Sequence, residues 1–531
     1  MLGANNMPDP KKLKVGILSR STRRDFLRSS GLAVGTFIFG SPTIFARPLV
    51  DRPNIIFIMS DDHAAPAISA YDEKLTSTPN IDRIANEGIR FDNCFCTNSI
   101  CTPSRAVILT GKYSHLNGIK TLAEVFDGSQ ATFPKLLQKA GYHTSIVGKW
   151  HLKSEPTGFD DYIVLPGQGR YYDPLFRKKG NWPKTIQHKG YCTDIVTDFA
   201  LQYLDARPKN KPFFLMCQHK APHDPFTPKK EYKNLFADHI PEPPNLFDDY
   251  KDRKALQMTT QKVGMKHLGY GDPNWSKYQR YMYTKEEQAE FARKTEGLAG
   301  KELKKEQYQI YMRRYLQCVR SIDEGVGKIL DYLDAENLTQ NTIVIYTSDQ
   351  GFFLGEHGLF DKRFFYEESL RMPLLMRHPD TIKPNSTSDA IVSNVDFAQT
   401  LLDYAGVEAP ADMQGESFRQ IARGRTEENW RKEFYYRYWM HMASFDIPAH
   451  LGIRTRRYKL IYYYGKTLGV KGAVGKDTAA FWELFDLKED RREMKNLYHD
   501  PAYSKVIDKL KIRLLKLRKD LKDDDDDLIG I

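Results

Sequence analysis

Cys101 stands two residues before Pro103 and four before Arg105, in the run Ser99-Ile-Cys-Thr-Pro-Ser-Arg-Ala-Val-Ile-Leu-Thr-Gly111. A thiol near a guanidinium is most often a buried structural thiol, so it acquires chemical meaning only through its company. That company is acidic and basic. Asp61 and Asp62 follow the apolar run Pro53–Met59, and Asp349 and Gln350 follow the apolar run Asn341–Thr347. Adjacent carboxylates repel one another unless a cation lies between them. Hard oxygen donors of this kind suit Ca²⁺ or Mg²⁺ better than zinc. Gly148-Lys149-Trp150-His151 puts an ammonium and an imidazole after a third apolar run, and Gln218-His-Lys-Ala-Pro-His223 follows a fourth, Pro212–Cys217. Spacing alone therefore points to a metal-assisted hydrolase built at strand ends.

The elements that must position these groups are legible. Continuous β-branched and apolar runs mark strands buried on both faces of a parallel sheet. Such sheets bind ligands at the carboxyl ends of their strands, where all four polar clusters fall. Thr78 to Gly88 reads as a helix with Thr78 as cap, Pro79 at its first position and Gly88 as stop. Amphipathic helices are expected over 132–141, 192–206, 303–337 and 502–521. Cys101 is expected in a loop running into a buried helix, and 228–300 as a long surface insertion contributing substrate contacts. Glu433–Trp439, Gly452–Tyr464 and Phe481–Leu487 read as strands of antiparallel character.

The run from Ser99 to Gly111 resembles the sulfatase signature, in which the cysteine of a Cys-x-Pro-x-Arg core is oxidised after translation to formylglycine. Gly141-Tyr-His-Thr-Ser-Ile-Val-Gly-Lys-Trp-His151 resembles the second signature of that family. The resemblance covers roughly residues 52 to 520. It implies an α/β fold: a large mixed, mostly parallel sheet sandwiched by helices, alkaline phosphatase-like, with a small C-terminal subdomain of antiparallel sheet plus helix. It implies hydrolysis of sulfate monoesters. Formylglycine from Cys101 would be the nucleophile, and Asp61, Asp62, Asp349, Gln350 and the modified Cys101 would hold Ca²⁺, with Mg²⁺ as the other ion. Arg105, Lys149 and His151 would attend the nucleophile, His223 would protonate the leaving oxygen, and Lys362 would bind sulfate. Gln350 departs from the Asp-Asn or Asp-His pair more usual in the family.

Within the family, Leu165–Pro174 and Asp349–Arg371 look like bacterial enzymes acting on glycosaminoglycans or algal polysaccharides. Arg170, His357, Arg363, His441 and His450 are candidates for sugar recognition. The implied partners are the sulfated carbohydrate, a formylglycine-generating or sulfatase-maturating enzyme, and export machinery. A phosphodiesterase or phosphonate monoester hydrolase of the same superfamily is the alternative enzyme. A non-catalytic carbohydrate-binding relative is the alternative of another class.

Bulk properties agree with a large globular enzyme. The chain has 531 residues, 41% hydrophobic and 28% charged. Six cysteines are too few for a disulfide framework at this length. The formal charge is +11, and residues 1–47, with eight basic and two acidic side chains, supply +6 of it. The remainder is too mild to argue for nucleic acid. Ser21-Thr-Arg-Arg-Asp-Phe-Leu27 followed by an apolar run to Gly40 looks like a twin-arginine export signal. That run is too short for a permanent span, which needs about 20 residues. The expected organisation is a signal segment over 1–47, a catalytic domain over 48–425 and a C-terminal subdomain over 426–531, in an exported protein, periplasmic or extracellular. Asp523–Asp527 is expected as a solvated tail.

Overall fold

The computed structural model describes residues 52–263, 268, 283–425 and 427–524. The export signal expected over 1–47 lies outside them. The strand Asn54–Asp61 is fully buried, and its alternate side chains serve opposite faces. Ile55, Phe57 and Met59 pack with Ala106, Leu137 and Leu401, whereas Ile56 and Ile58 pack with Val196, Val319 and Ile322. This two-sided burial is why the run is apolar throughout rather than alternating.

Around that strand a ten-stranded sheet forms. Its neighbours are Thr342–Ser348 on one side and Phe213–Pro222 on the other, both parallel to it. His143–Lys149 and Asp161–Leu165 continue the parallel region. Leu374–Arg377 runs antiparallel beside Thr342–Ser348, so the sheet is mixed. The helices Cys192–Ala206 and Gly300–Ala335 cover one face. Cys101–Thr110, Phe133–Lys139 and Phe397–Tyr404 cover the other. No helix among the described residues is long and apolar enough to cross a membrane.

Register sets where the chemistry emerges. Ser60 pairs with Ser348, so Asp61 and Asp62 leave the sheet beside Asp349 and Gln350. On the other side the ladder slips between Met59 and Asp61, and Asp61 then faces Pro222. Gly148 sits against the next strand with φ +93°, and a Cβ there would lie 1.9 Å from the Gln218 carbonyl oxygen. Only glycine permits that approach, and Lys149 follows it directly.

Several local expectations change. Cys101 is the first residue of its helix, which runs to Thr110 and ends at Gly111 in the left-handed conformation. Thr78 does not cap its helix with its side chain. Asp323 of the long helix does so, its Oδ1 accepting from the amides of Asn80 and Ile81 at 2.9 Å each. The 228–300 segment is not confined to the surface, since Arg253, Ala255, Leu256 and Gln261 are buried. Gly452–Tyr464 is a hairpin of His450–Thr455 and Tyr458–Tyr463, because the Thr455 hydroxyl accepts from the Arg457 and Tyr458 amides and turns the chain.

These two strands, with Glu433–Tyr438 and Phe481–Asp486, make a four-stranded antiparallel sheet, and the helix Ser504–Asp520 packs on it. Its other side merges with the main body through Phe95, Ile100, Phe364 and Phe365. Asp523, expected in a solvated tail, is buried against Arg437 and Tyr435.

Candidate active site

Four strand ends and one helix start converge. Oxygens of Asp61, Asp62 and Asp349 lie within 4.8 Å of one another, and Asp61, Cys101 and His223 form a second such group. Cys101 Sγ lies 3.4 Å from Asp61 Oδ1. One turn on, Arg105 donates to Asp349 Oδ2 at 2.9 and 3.0 Å, to Gln218 Oε1 at 2.6 Å and to the Lys149 carbonyl at 2.9 Å. Lys149 is buried with its ammonium on Asp61 and 2.5 Å from Gln168 Oε1. Lys362 donates to both Asp62 oxygens, at 2.5 and 2.7 Å. His223 Nε2 is 3.7 Å from Asp62 Oδ2. Its other nitrogen, Nδ1, lies 2.6 Å from Asp224 Oδ1.

The charges explain the protonation. Burial alone would raise Asp61, but Lys149, His223, Arg105 and Lys362 outweigh it and hold the carboxyl well below its usual range. Burial raises Asp62 despite Lys362, and burial together with Asp61 pushes Asp349 up to about 7. Burial, reinforced by Lys149, keeps His151 well below the ordinary histidine value and hence neutral. Burial, reinforced by Asp61, raises the Cys101 thiol, so an unmodified Cys101 is a poor thiolate nucleophile here.

The residues fit a divalent cation. Buried carboxylates crowded this closely are stabilised by positive charge between them. Gln350 donates its Nε2 to Asp62, while its Oε1 is buried with no hydrogen-bond partner among the described residues. A buried carbonyl oxygen beside three carboxylates is the donor set of a hard cation.

Above Cys101 opens a cavity of about 400 Å³, lined by Asp62, Gln168, His223, Asp224, Lys362 and Arg363 on its polar side. Among the sugar-recognition candidates only Arg363 lines it. Arg170 is exposed, and Gln168, two residues earlier, takes the cavity position. His357 is buried with Nδ1 2.6 Å from Asp248 Oδ2, and Asp248 is itself ion-paired with Arg253. His441 is buried and bridges the Ala449 amide and the Lys476 carbonyl. His450 is buried among the rings of Tyr436, Tyr438 and Tyr463. These three histidines hold the fold together, a distinction that residue type alone does not carry.

Gln168, Gln218, Asp224 and Asp361 were not singled out from sequence. Each flanks a group that was, and each orients or charges it. Asp361 lies 3.5 Å from Lys362 and 2.8 Å from Arg363. Tyr315 carries no local sequence signal either. From the middle of the long helix its hydroxyl donates to the Asp62 carbonyl at 2.7 Å and accepts from the Ala64 amide at 2.9 Å, fixing the acidic turn.

A Sulfatase family model matches residues 53–407. The chain belongs to the sulfatase family. A model for the C-terminal region of N-sulphoglucosamine sulphohydrolase matches residues 355–520. The sulfatase is 46% identical over 507 residues to an N-acetylglucosamine-6-O-sulfatase of Bacteroides thetaiotaomicron, covering 90% of this chain and 88% of that one. It is 27% identical over 417 residues to the human N-acetylglucosamine-6-sulfatase, covering 73% and 67%. A solved structure of a protein in complex with its substrate D-glucosamine-2-N,6-O-disulfate superposes with a TM-score of 0.82 and 45% identity, covering 89% of this chain and 99% of that one. This sulfatase is a sulfuric ester hydrolase with the mixed α/β sheet and C-terminal antiparallel sheet of its family.

Proposed function

We propose that this sulfatase hydrolyses the 6-O-sulfate ester of a terminal glucosamine residue of a sulfated glycan. The observation that carries this reading is the solved relative whose substrate is D-glucosamine-2-N,6-O-disulfate, at 45% identity across 89% of this chain. The cavity supports it. Its volume of about 400 Å³ is near the lower end of the range for small-molecule sites, roughly 300–1,000 Å³. That suits one sugar residue rather than a long polymer segment.

Asp61, Asp62, Asp349 and Gln350 would hold the cation, Ca²⁺ in preference to Mg²⁺, whose charge polarises the sulfate oxygens. Formylglycine made from Cys101 by a maturating enzyme would supply the oxygen nucleophile for sulfur. The remaining work falls to side chains. Arg105, clamped between Asp349 and Gln218, fixes the helix start that carries position 101. Lys149, beside Asp61 and Gln168, and Lys362, beside Asp62, place positive charge where sulfate oxygens gather negative charge. His151, kept neutral, is available to accept a proton. His223 donates the proton from Nε2 to the sugar C6 oxygen as the S–O bond breaks, with Asp224 holding Nδ1. Residues 1–47 would direct the enzyme through the twin-arginine route to the periplasm or beyond.

The test is sulfate release from N-acetylglucosamine 6-sulfate by protein co-expressed with a maturating enzyme. The mass of the Cys101 peptide should fall by the difference between a thiol and an aldehyde. Cys101→Ala should abolish turnover. Protein with a verified aldehyde and bound cation that leaves this sugar sulfate intact would refute the reading.

A further inference from the structure

The cavity over Cys101 has two kinds of lining. Among its polar groups stand Leu122, Phe352, Phe360 and Phe445, and the Lys362 ammonium lies 5.6 Å from the Phe352 ring centroid. Phe352 and Phe360 are part of the buried core. Phe445 is only partly buried, and it arrives from the loop between the first two strands of the C-terminal sheet.

That loop is strained. Met442, Ser444, Phe445 and Asp446 have φ of 51°, 53°, 68° and 56°, and none is glycine. Each such residue costs about 1–3 kcal/mol and persists only where its surroundings over-determine it. The surroundings here do so. The Phe445 carbonyl accepts from the Thr260 amide at 3.0 Å and the Thr259 hydroxyl at 2.9 Å. The Thr260 hydroxyl donates to Asp446 Oδ2 at 3.3 Å. The Phe445 ring meets Phe360 edge to face at 5.5 Å, and the Arg363 guanidinium lies 5.3 Å from its centroid. Two separate chain segments therefore fix one half-buried aromatic ring in the lining of the cavity.

A ring so placed presents a negative π face and an apolar surface. A pyranose offers the complement, a face of C–H groups carrying partial positive charge. Nothing in the sulfate group calls for an aromatic neighbour. We propose that Phe445 is the platform on which the sugar ring of the substrate lies, and so a specificity-determining residue for the leaving group. This rests on the sulfated-sugar reading above, but it concerns the sugar half of the substrate alone.

The test separates the two halves. KM and kcat are measured with N-acetylglucosamine 6-sulfate, and inorganic sulfate is used as a competitive inhibitor. In Phe445→Ala, KM for the sugar sulfate should rise about tenfold, while the inhibition constant of sulfate stays within about twofold. Phe445→Tyr, which keeps the π face, should stay near wild type. Phe445→Leu, which keeps bulk and loses the π face, should fall between, and it carries the test if the alanine variant does not fold. An unchanged KM in Phe445→Ala or Phe445→Leu overturns the platform, as does a sulfate inhibition constant that rises in step with KM. If the wild type ignores this sugar but cleaves another sulfated sugar, the substrate reading fails and the same series on the second sugar decides the platform. A wild type that cleaves aryl sulfates and no sugar sulfate overturns both.

Discussion

Asp224 Oδ1 lies 2.6 Å from His223 Nδ1, on the side of the ring away from Asp62. This contact leaves Nε2 as the nitrogen that faces Asp62. Asp224→Asn should therefore lower kcat for a sugar sulfate by roughly 10- to 100-fold, short of the full value of a general acid. An aryl sulfate, whose phenolate departs without a proton, should lose far less. Equal losses on both substrates would mean that Asp224 serves folding, not proton delivery.

Lys362 straddles both oxygens of Asp62 from within the cavity. Lys362→Met keeps most of the bulk and removes the charge. The expected loss in kcat/KM is roughly 10²–10³-fold, the usual effect of removing one preorganised charge from such a site. A change below threefold would place the ammonium outside the reaction.

Gln350 brings a buried side-chain oxygen that has no hydrogen-bond partner among the described residues to the Asp61–Asp62 turn. If a cation occupies the site, Ca²⁺ should raise Tm, and chelation should lower it, because a ligand bound only to the folded state stabilises that state. Gln350→Ala should shift the half-maximal Ca²⁺ concentration up by about tenfold or more. Differential scanning fluorimetry reads this without any turnover.

Glu367 joins the C-terminal sheet to the main body. It accepts from Arg454 at 3.0 Å on each oxygen and lies 3.0 Å from Lys459. Glu367→Ala strands buried positive charge, so stability should fall by about 3–5 kcal/mol. Burial would raise this carboxyl, but Arg454, Lys459 and Arg371 hold it well below the glutamate range. Its contribution is therefore present above pH 4.5 and lost as pH falls further. Denaturant midpoints measured across that range should converge for wild type and variant at low pH.

His450 loses stability in the same direction but in a higher pH window. Burial lowers it from 6.5 to about 4. The unfolded chain thus binds a proton that the native chain refuses between those values, and stability declines as pH drops through the window, by roughly 3 kcal/mol in full. His450→Phe should flatten the fall in Tm between pH 6.5 and 4. An unaltered slope would show that other buried groups dominate.

The reach of sequence reasoning followed the range of the interactions. The strand before Asp61 and the strand before Asp349 announce themselves, because burial on both faces demands unbroken apolar runs. The run around Cys101 is equally local, since each position serves one turn of chain. Helix extents were legible, the expected 192–206 matching Cys192–Ala206, but helix caps were not. The cap of the Pro79 helix comes from Asp323, 243 residues away, so no local pattern encodes it. The placement of the candidate histidines is non-local for the same reason. His441 and His450 are polar in type, and their core positions depend on which strands surround them.

The sequence by itself determined the family, the sheet, and the identity of the carboxylates, lysines and imidazole that meet there, because those are properties of short segments. Only the tertiary structure decided that Ser60 aligns with Ser348, that Asp224 backs His223, and that Phe445 reaches the cavity from the C-terminal sheet. Those relations join segments far apart in the chain or turn on side-chain orientation. They exist only after packing has chosen one register and one set of rotamers from many that the same residues allow.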